Sequence, residues 1–194
     1  MERATEMVLR EVSSETFSLN KMPSRTKLII LDLDETLIHA VPKGTSELSH
    51  ITQGLPYHEF SEFYIFERPN LEEFLRILVE DYRLAVWTAA QKEYATFVVN
   101  NILKPKLEGA ARQIEWYLHA DHCDISSKLS GVLKDLRVLP VFGLPYASPD
   151  DALIVDDNTF IDRQEHRVIN IVPFSGRHYD FELINTLTEI QKTF

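Results

Sequence analysis

The chain has a single cysteine, Cys123, in 194 residues. One thiol excludes an internal disulfide framework, so a packed core must hold the fold, and the natural setting is a reducing compartment, cytoplasm or nucleus. Delivery into another cell by a route without a cleaved leader would leave the same signature. Glycine and proline are scarce, at 6 and 9 residues, which excludes collagen-like and low-complexity architectures. No apolar stretch approaches the roughly 20 residues that a spanning helix requires, and the N-terminus lacks the charged-then-apolar layout of a signal peptide. Basic clusters are missing too: 20 Lys and Arg stand against 30 Asp and Glu, a formal net charge of -10. Nucleic acid and anionic membranes reward such clusters, so neither is expected as a partner, and no membrane insertion is expected. The oligomeric state is not legible from these features.

What is present begins with Leu28-Ile29-Ile30-Leu31. This run has the length and unbroken apolarity of a strand buried on both faces, as in a parallel sheet covered by helices. It stops at Asp32 and Asp34, separated by one leucine. Open α/β sheets bind ligands beyond the C-terminal ends of their strands. Two carboxylates there repel each other unless a cation or a proton is shared between them.

The same pattern recurs along the chain. Leu84-Ala85-Val86-Trp87 ends on Thr88, and Ala152-Leu153-Ile154-Val155 ends on Asp156 and Asp157. Ile114–Leu118 and Val168–Val172 are further strand candidates. Helical stripes appear at Leu71, Phe74, Leu75, Leu78 and Val79, at Tyr94, Ala95, Val98 and Ile102, and in a closing segment over Phe181–Phe194. Between Ala40 and Glu67 the chain is loop-like at first, with Pro42, Gly44, Gly54 and Pro56. It then alternates aromatically through Tyr57–Phe60 and Phe63–Phe66, a hairpin or edge-strand signal. Turn chemistry is expected over His119–Leu129, and Pro140, Gly143, Pro145, Ser148 and Pro149 mark a surface connection. Strands alternating with helices predict an α/β, three-layer, Rossmann-like parallel sheet with helices on both faces. Residues 1–26 read as a lead-in and 27–194 as a single domain.

In such a sheet the strand ends share one edge, so Asp32, Asp34, Thr88, Asp156 and Asp157 can converge. A carboxylate cluster suits a hard divalent cation, and Mg²⁺ commonly uses one or two carboxylates, waters and a phosphate oxygen. With Mg²⁺ in place, Asp32 could attack phosphorus to give an aspartyl-phosphate, and Asp34 could carry the proton. Thr88 offers a hydroxyl and Lys134 a point charge for the phosphate oxygens.

Asp32-Leu33-Asp34-Glu35-Thr36-Leu37, the Trp87-Thr88-Ala89-Ala90 turn, a later lysine and Val155-Asp156-Asp157 resemble the four motifs of the haloacid dehalogenase superfamily of phosphotransferases. Within it, Leu31–His39, the Phe66-Glu67-Arg68-Pro69 entry, Glu73-Phe74-Leu75 and Lys92-Glu93-Tyr94-Ala95 look like the FCP/SCP group. That group comprises phosphatases of the RNA polymerase II C-terminal domain (CTD) and their relatives, also called NLI-interacting-factor-like phosphatases. The resemblance implies a nucleophile at Asp32, an acid/base at Asp34, and phosphate binding by Thr88, Ala89 and Lys134. It implies Mg²⁺ held by Asp32, Asp34 and Asp156, with Thr36, Asp157 and Asn158 in support. It further implies no large cap domain, a small β insertion after the first motif, and a phosphoprotein substrate carrying phosphoserine, phosphothreonine or phosphotyrosine. Two departures stand out. Lys128-Leu129-Ser130 and Lys134-Asp135-Leu136 both resemble the lysine motif, Lys134 being preferred for its following Asp-Leu, and Asp157 stands where the group often has asparagine. An adaptor or receptor module and a small-molecule phosphatase remain the alternatives. For His39, His58, His119, His122 and Cys123, which lack paired ligand spacing, structural roles are expected.

Overall fold

The computed structural model of the chain describes residues 27–51, 53–110, 113–144, 151–158 and 167–194. The lead-in over 1–26 and most of the connection over 145–150 lie outside the described residues. Five parallel strands form the main sheet: β1 (Leu28–Leu31), β5 (Arg83–Trp87), β6 (Ile114–Leu118), β7 (Ala152–Asp156) and β8 (Val168–Asn170). Their order is β6-β5-β1-β7-β8, which puts β1 at the centre with β5 and β7 paired to either side. Every residue of β1 is buried because both faces are covered, as its continuous apolarity requires. The last strand stops at Asn170, two residues short of the expected Val172.

Alternate residues of these strands feed two cores. Ile29, Leu31, Leu84, Val86, Leu153 and Val155 pack with the apolar stripes of α1 (Leu71–Asp81), α2 (Lys92–Val98) and α4 (Glu182–Thr193). Leu28, Ile30, Ala85, Trp87 and Ile154 face the other way, against Cys123 of α3 (Ala120–Ser130) and a 3-10 helix over Leu136–Phe142. The predicted α/β class with helices on both faces is therefore the fold, although the second face is covered more thinly.

Three segments differ from expectation. Ala40–Pro42, expected to begin a loop, instead complete a strand, β2 (Ile38–Pro42), which pairs antiparallel with β4 (Phe63–Glu67); β4 pairs in turn with β3 (Tyr57–Phe60). The small β insertion thus has three strands rather than a hairpin alone. Residues His119–Leu129 are mostly helix, α3, rather than turn. Pro140–Phe142, expected to begin a surface connection, instead close the 3-10 helix in which Leu136, Val138 and Leu139 are buried.

A buried arginine ties this frame to the loop after β1. Arg68 is fully covered, and its guanidinium donates from Nε and Nη2 to the two carboxylate oxygens of Asp180, both at 2.9 Å. Nη1 donates to the Thr36 carbonyl at 2.9 Å and Nη2 to the Val172 carbonyl at 2.7 Å. The Phe174 amide donates to the Glu35 carbonyl at 2.7 Å. Glu35 sits at φ 61°, a left-handed conformation uncommon without glycine, so the C-terminal segment clamps a bent loop. Arg68→Ala is expected to cost about 3 kcal/mol, because it leaves a shielded carboxylate and two carbonyls without their donor. A urea-unfolding midpoint would read this, and Arg68→Lys would recover only part, since an ammonium cannot make the two-pronged contact.

Candidate active site

Parallel pairing brings the functional side chains together. Leu31 lies in register with Val86 on one side and Val155 on the other, so β1, β5 and β7 end side by side. Asp32 and Thr88 follow the ends of β1 and β5 directly and Asp156 is the last residue of β7, all three nearly inaccessible to solvent. Backbone bonds continue the sheet past the formal strand ends: the Asp32 amide donates to the Val155 carbonyl at 3.0 Å and the Thr88 amide to the Leu118 carbonyl at 3.1 Å. These positions are fixed by rigid strands, not by loop conformation.

The convergence forms a cavity of about 230 Å³ lined by Asp32, Asp34, Thr88, Ala89, Ala90, Leu133, Lys134, Asp156, Asp157 and Asn158. Lys134 is the hub. Its ammonium donates to Asp32 Oδ1 and to Asp156 Oδ2, each at 2.6 Å. Lys128, the other candidate, lies on the exposed side of α3 and does not line the cavity. The Asn158 amide donates to Asp156 Oδ1 at 2.8 Å, which fixes that carboxylate. Thr36 Oγ1 donates to Asp157 Oδ1 and accepts from the Asp157 amide, both at 3.2 Å. Thr88 Oγ1 accepts from the Ala90 amide at 3.0 Å, a bond that leaves its hydroxyl hydrogen available to donate.

Ligand oxygens of Asp32, Asp156 and Asp157 all lie within 4.8 Å of one another, the one such group of metal-ligating side chains among the described residues. The structure thus groups Asp157, expected in a supporting place, with Asp32 and Asp156. The Asp34 carboxylate, expected as a ligand, stands outside that group and instead accepts from the Tyr94 hydroxyl at 2.5 Å. The sequence places Tyr94 in a family motif without giving it a role. It sat in the apolar stripe of its helix, where nothing marks a polar tip that reaches a residue sixty positions away.

Charge in the cavity is unbalanced, four aspartates against one lysine. Burial pushes the Asp32 carboxyl up to about 7, with Lys134 pulling the other way and Asp156 adding to the rise. Asp34 is raised as well, chiefly by burial, against the stabilising bond from Tyr94. Asp157 is raised by burial and by its neighbour Asp156. Burial alone would lower the Lys134 ammonium, but pairing with Asp32 and Asp156 outweighs it and holds the proton. The Tyr94 phenol is raised by burial and by Asp34, so it remains a donor. Tyr94→Phe is expected to reduce turnover about tenfold by freeing Asp34, an effect of one lost charge-assisted hydrogen bond. Steady-state kinetics on an aryl phosphate would read it.

The remaining candidates have structural work. His39 Nδ1 lies 2.8 Å from Glu35 Oε1, and His58 Nε2 lies 2.7 Å from Glu67 Oε1. The His119 amide donates to His122 Nδ1 at 3.2 Å. Buried Cys123 donates to the Thr88 carbonyl at 3.5 Å, and burial raises its thiol, the opposite of a reactive thiolate.

Comparison with known proteins decides the family. The profile of the NLI interacting factor-like phosphatases matches residues 27–194. The chain belongs to that family. It is accordingly a phosphatase, a phosphoric monoester hydrolase of haloacid dehalogenase fold, as the motif resemblance implied. This phosphatase is 33% identical over 178 residues to a CTD phosphatase-like protein of Invertebrate iridescent virus 3, covering 88% of this chain and 96% of that one. It is 29% identical over 178 residues to Nuclear envelope morphology protein 1 of Schizosaccharomyces pombe, covering 87% of this chain but 33% of the yeast protein. Among solved structures, the RNA polymerase II CTD phosphatase Fcp1 of fission yeast bound to beryllium fluoride superposes with a TM-score of 0.54 at 22% identity. That match covers 93% of this chain and 54% of the other, and is a likeness of fold. Among the described residues no helix is long and apolar enough to cross a membrane.

Proposed function

We propose that the phosphatase is Mg²⁺-dependent, acts on phosphorylated side chains of proteins, and works through an aspartyl-phosphate at Asp32. The observation that carries the reading is the bridge from Lys134 to Asp32 and Asp156 at the ends of adjacent strands. A cavity of about 230 Å³ accommodates a phosphoryl group and the first atoms of a side chain, with no large cap among the described residues to enclose a metabolite. The viral relative is named CTD phosphatase-like, a name that supports a protein substrate here.

The donor set fits a hard cation: three carboxylates offer oxygens within 4.8 Å of one another, and nitrogen or sulfur ligands are absent from the lining. Asp32, Asp156 and Asp157 would hold it, and its charge would offset the acids against an incoming phosphate dianion. The chain's own residues do the rest. An oxygen of Asp32 bonds to phosphorus as the ester P–O bond breaks, while Lys134 and the Thr88 hydroxyl hold the non-bridging oxygens. Asp34, whose carboxyl burial raises above its ordinary value, gives its proton to the leaving oxygen. The Asp34 carboxylate then takes a proton from water, whose oxygen displaces Asp32 from phosphorus and releases inorganic phosphate. Tyr94 holds Asp34 in place through both steps.

Hydrolysis of p-nitrophenyl phosphate tests the reading. It is expected to fall to background in EDTA and to return on adding Mg²⁺. Turnover that is indifferent to chelation would overturn the metal assignment.

A further inference from the structure

Helix α3 is built inside out. Its buried residues are Cys123 and Ser126. Its two large aliphatic side chains, Ile125 and Leu129, are 41% and 59% exposed. They stand one turn apart on the exposed side of the helix, so they form an apolar strip. Four residues on comes Leu133, also 41% exposed, and it lines the catalytic cavity beside Lys134.

The intervening turn links strip to cavity. Gly131 ends the helix at φ 75°, a left-handed cap that glycine adopts without steric cost. The Val132 carbonyl then accepts from Ser126 Oγ at 2.8 Å, and the Asp135 amide donates to the same Oγ at 3.0 Å. The segment carrying Leu133 and Lys134 is thereby pinned against the end of α3. Ala89 and Ala90 continue the apolar wall inside the cavity.

The occupant follows from the size of the cavity. It takes a phosphoryl group and little more, so the polypeptide that carries the phosphate must lie across the mouth. Of the residues that line the cavity, Leu133 is a large apolar side chain left 41% exposed, so a chain lying across the opening meets it. Resting on the reading that a phosphorylated protein residue enters here, we propose that Leu133, Leu129 and Ile125 form a ledge. It receives a nonpolar side chain next to the phosphorylated residue of the substrate. Such a ledge would make the enzyme selective for phosphorylated sites with a leucine-like neighbour.

The test uses phosphoserine peptides in an alanine and serine background, with one leucine moved from three residues before the phosphoserine to three after. For each enzyme, kcat/KM on a peptide is divided by kcat/KM on p-nitrophenyl phosphate, which is too small to reach the strip. At one or two positions leucine is expected to raise the wild-type ratio about tenfold over the all-alanine peptide. In the Ile125→Ser/Leu129→Ser double variant the gain is expected to shrink to about twofold. Both positions are exposed, so the variant should fold, and a thermal melt checks this. The ledge is overturned if no leucine position exceeds alanine, or if the double variant keeps the full preference. It is equally overturned if the strip serves a second copy of the chain, in which case the variant changes the sedimentation mass and leaves the peptide ratios alone. A wild type inert toward p-nitrophenyl phosphate would overturn the catalytic reading itself, and the ledge with it.

Discussion

Replacing Asp32 by asparagine is expected to lower kcat for p-nitrophenyl phosphate on the order of 10⁵-fold, because loss of a covalent nucleophile removes the reaction path itself. The protein should nevertheless remain folded. Burial lifts the Asp32 carboxyl to about 7, so in the metal-free protein its neutral form is already well populated near neutrality. Asparagine is close in shape to that form and can still accept from the Lys134 ammonium. The sign of the pH effect follows. A carboxyl raised in the folded state holds a proton that the unfolded chain gives up near its ordinary value of 3.8. Its contribution to stability is therefore greatest at low pH and declines as pH rises toward 7. Asp32→Asn removes that decline. In EDTA, thermal melts of wild type and variant should accordingly draw apart with rising pH, the variant being favoured.

Lys134→Met is expected to do the reverse, harming stability as well as turnover. The ammonium bridges two carboxylates that are almost wholly buried. Removing one partner of a buried ionic cluster costs about 3–5 kcal/mol, because the charges left behind have neither water nor counterion. Loss of the phosphate-oriented charge should also reduce kcat about 10³-fold. A divalent cation among Asp32, Asp156 and Asp157 would neutralise the same acids. Added Mg²⁺ should therefore restore part of the melting temperature and little of the turnover. Lys128→Met, on the exposed side of α3, should change neither by more than about 0.5 kcal/mol in stability or its equivalent in rate.

How much of this was legible in the sequence depends on whether a residue's role is local. β1, β5 and β7 were readable because strands buried on both faces must be apolar throughout, and their functional residues stand where the apolarity stops. β2 was missed because Pro42 and Gly44 suggest a loop, while what makes Ile38–Pro42 a strand is β4, some twenty-five residues later. α3 was missed because it lacks an inward apolar stripe. It is held by the hydroxyl bonds of Ser126 and by its glycine cap, neither of which has periodicity.

The site shows the same division. Asp32, Thr88, Asp156 and Lys134 could be proposed from strand endings and motif spacing, and the structure brings all of them to one cavity. Tyr94 and Arg68 stand inside motifs that carry the family resemblance, yet neither has a partner that spacing alone reveals. Each acts through its polar end on a segment distant in sequence, Asp34 for the one and Asp180 for the other. The place of Asp157 beside Asp32 and Asp156, and the bond from Tyr94 to Asp34, likewise depend on segments distant in sequence.

The central claim is that phosphorus is transferred to Asp32 before it reaches water. Asp34→Asn keeps the nucleophile but lacks the base for the second step, so with a good leaving group such as p-nitrophenolate it should accumulate the intermediate. Rapid acid quench followed by peptide mapping should then find one phosphoryl group, labile to hydroxylamine, on the peptide containing Asp32. A label on any other residue, or stoichiometric phosphate release with no label at all, would contradict the account.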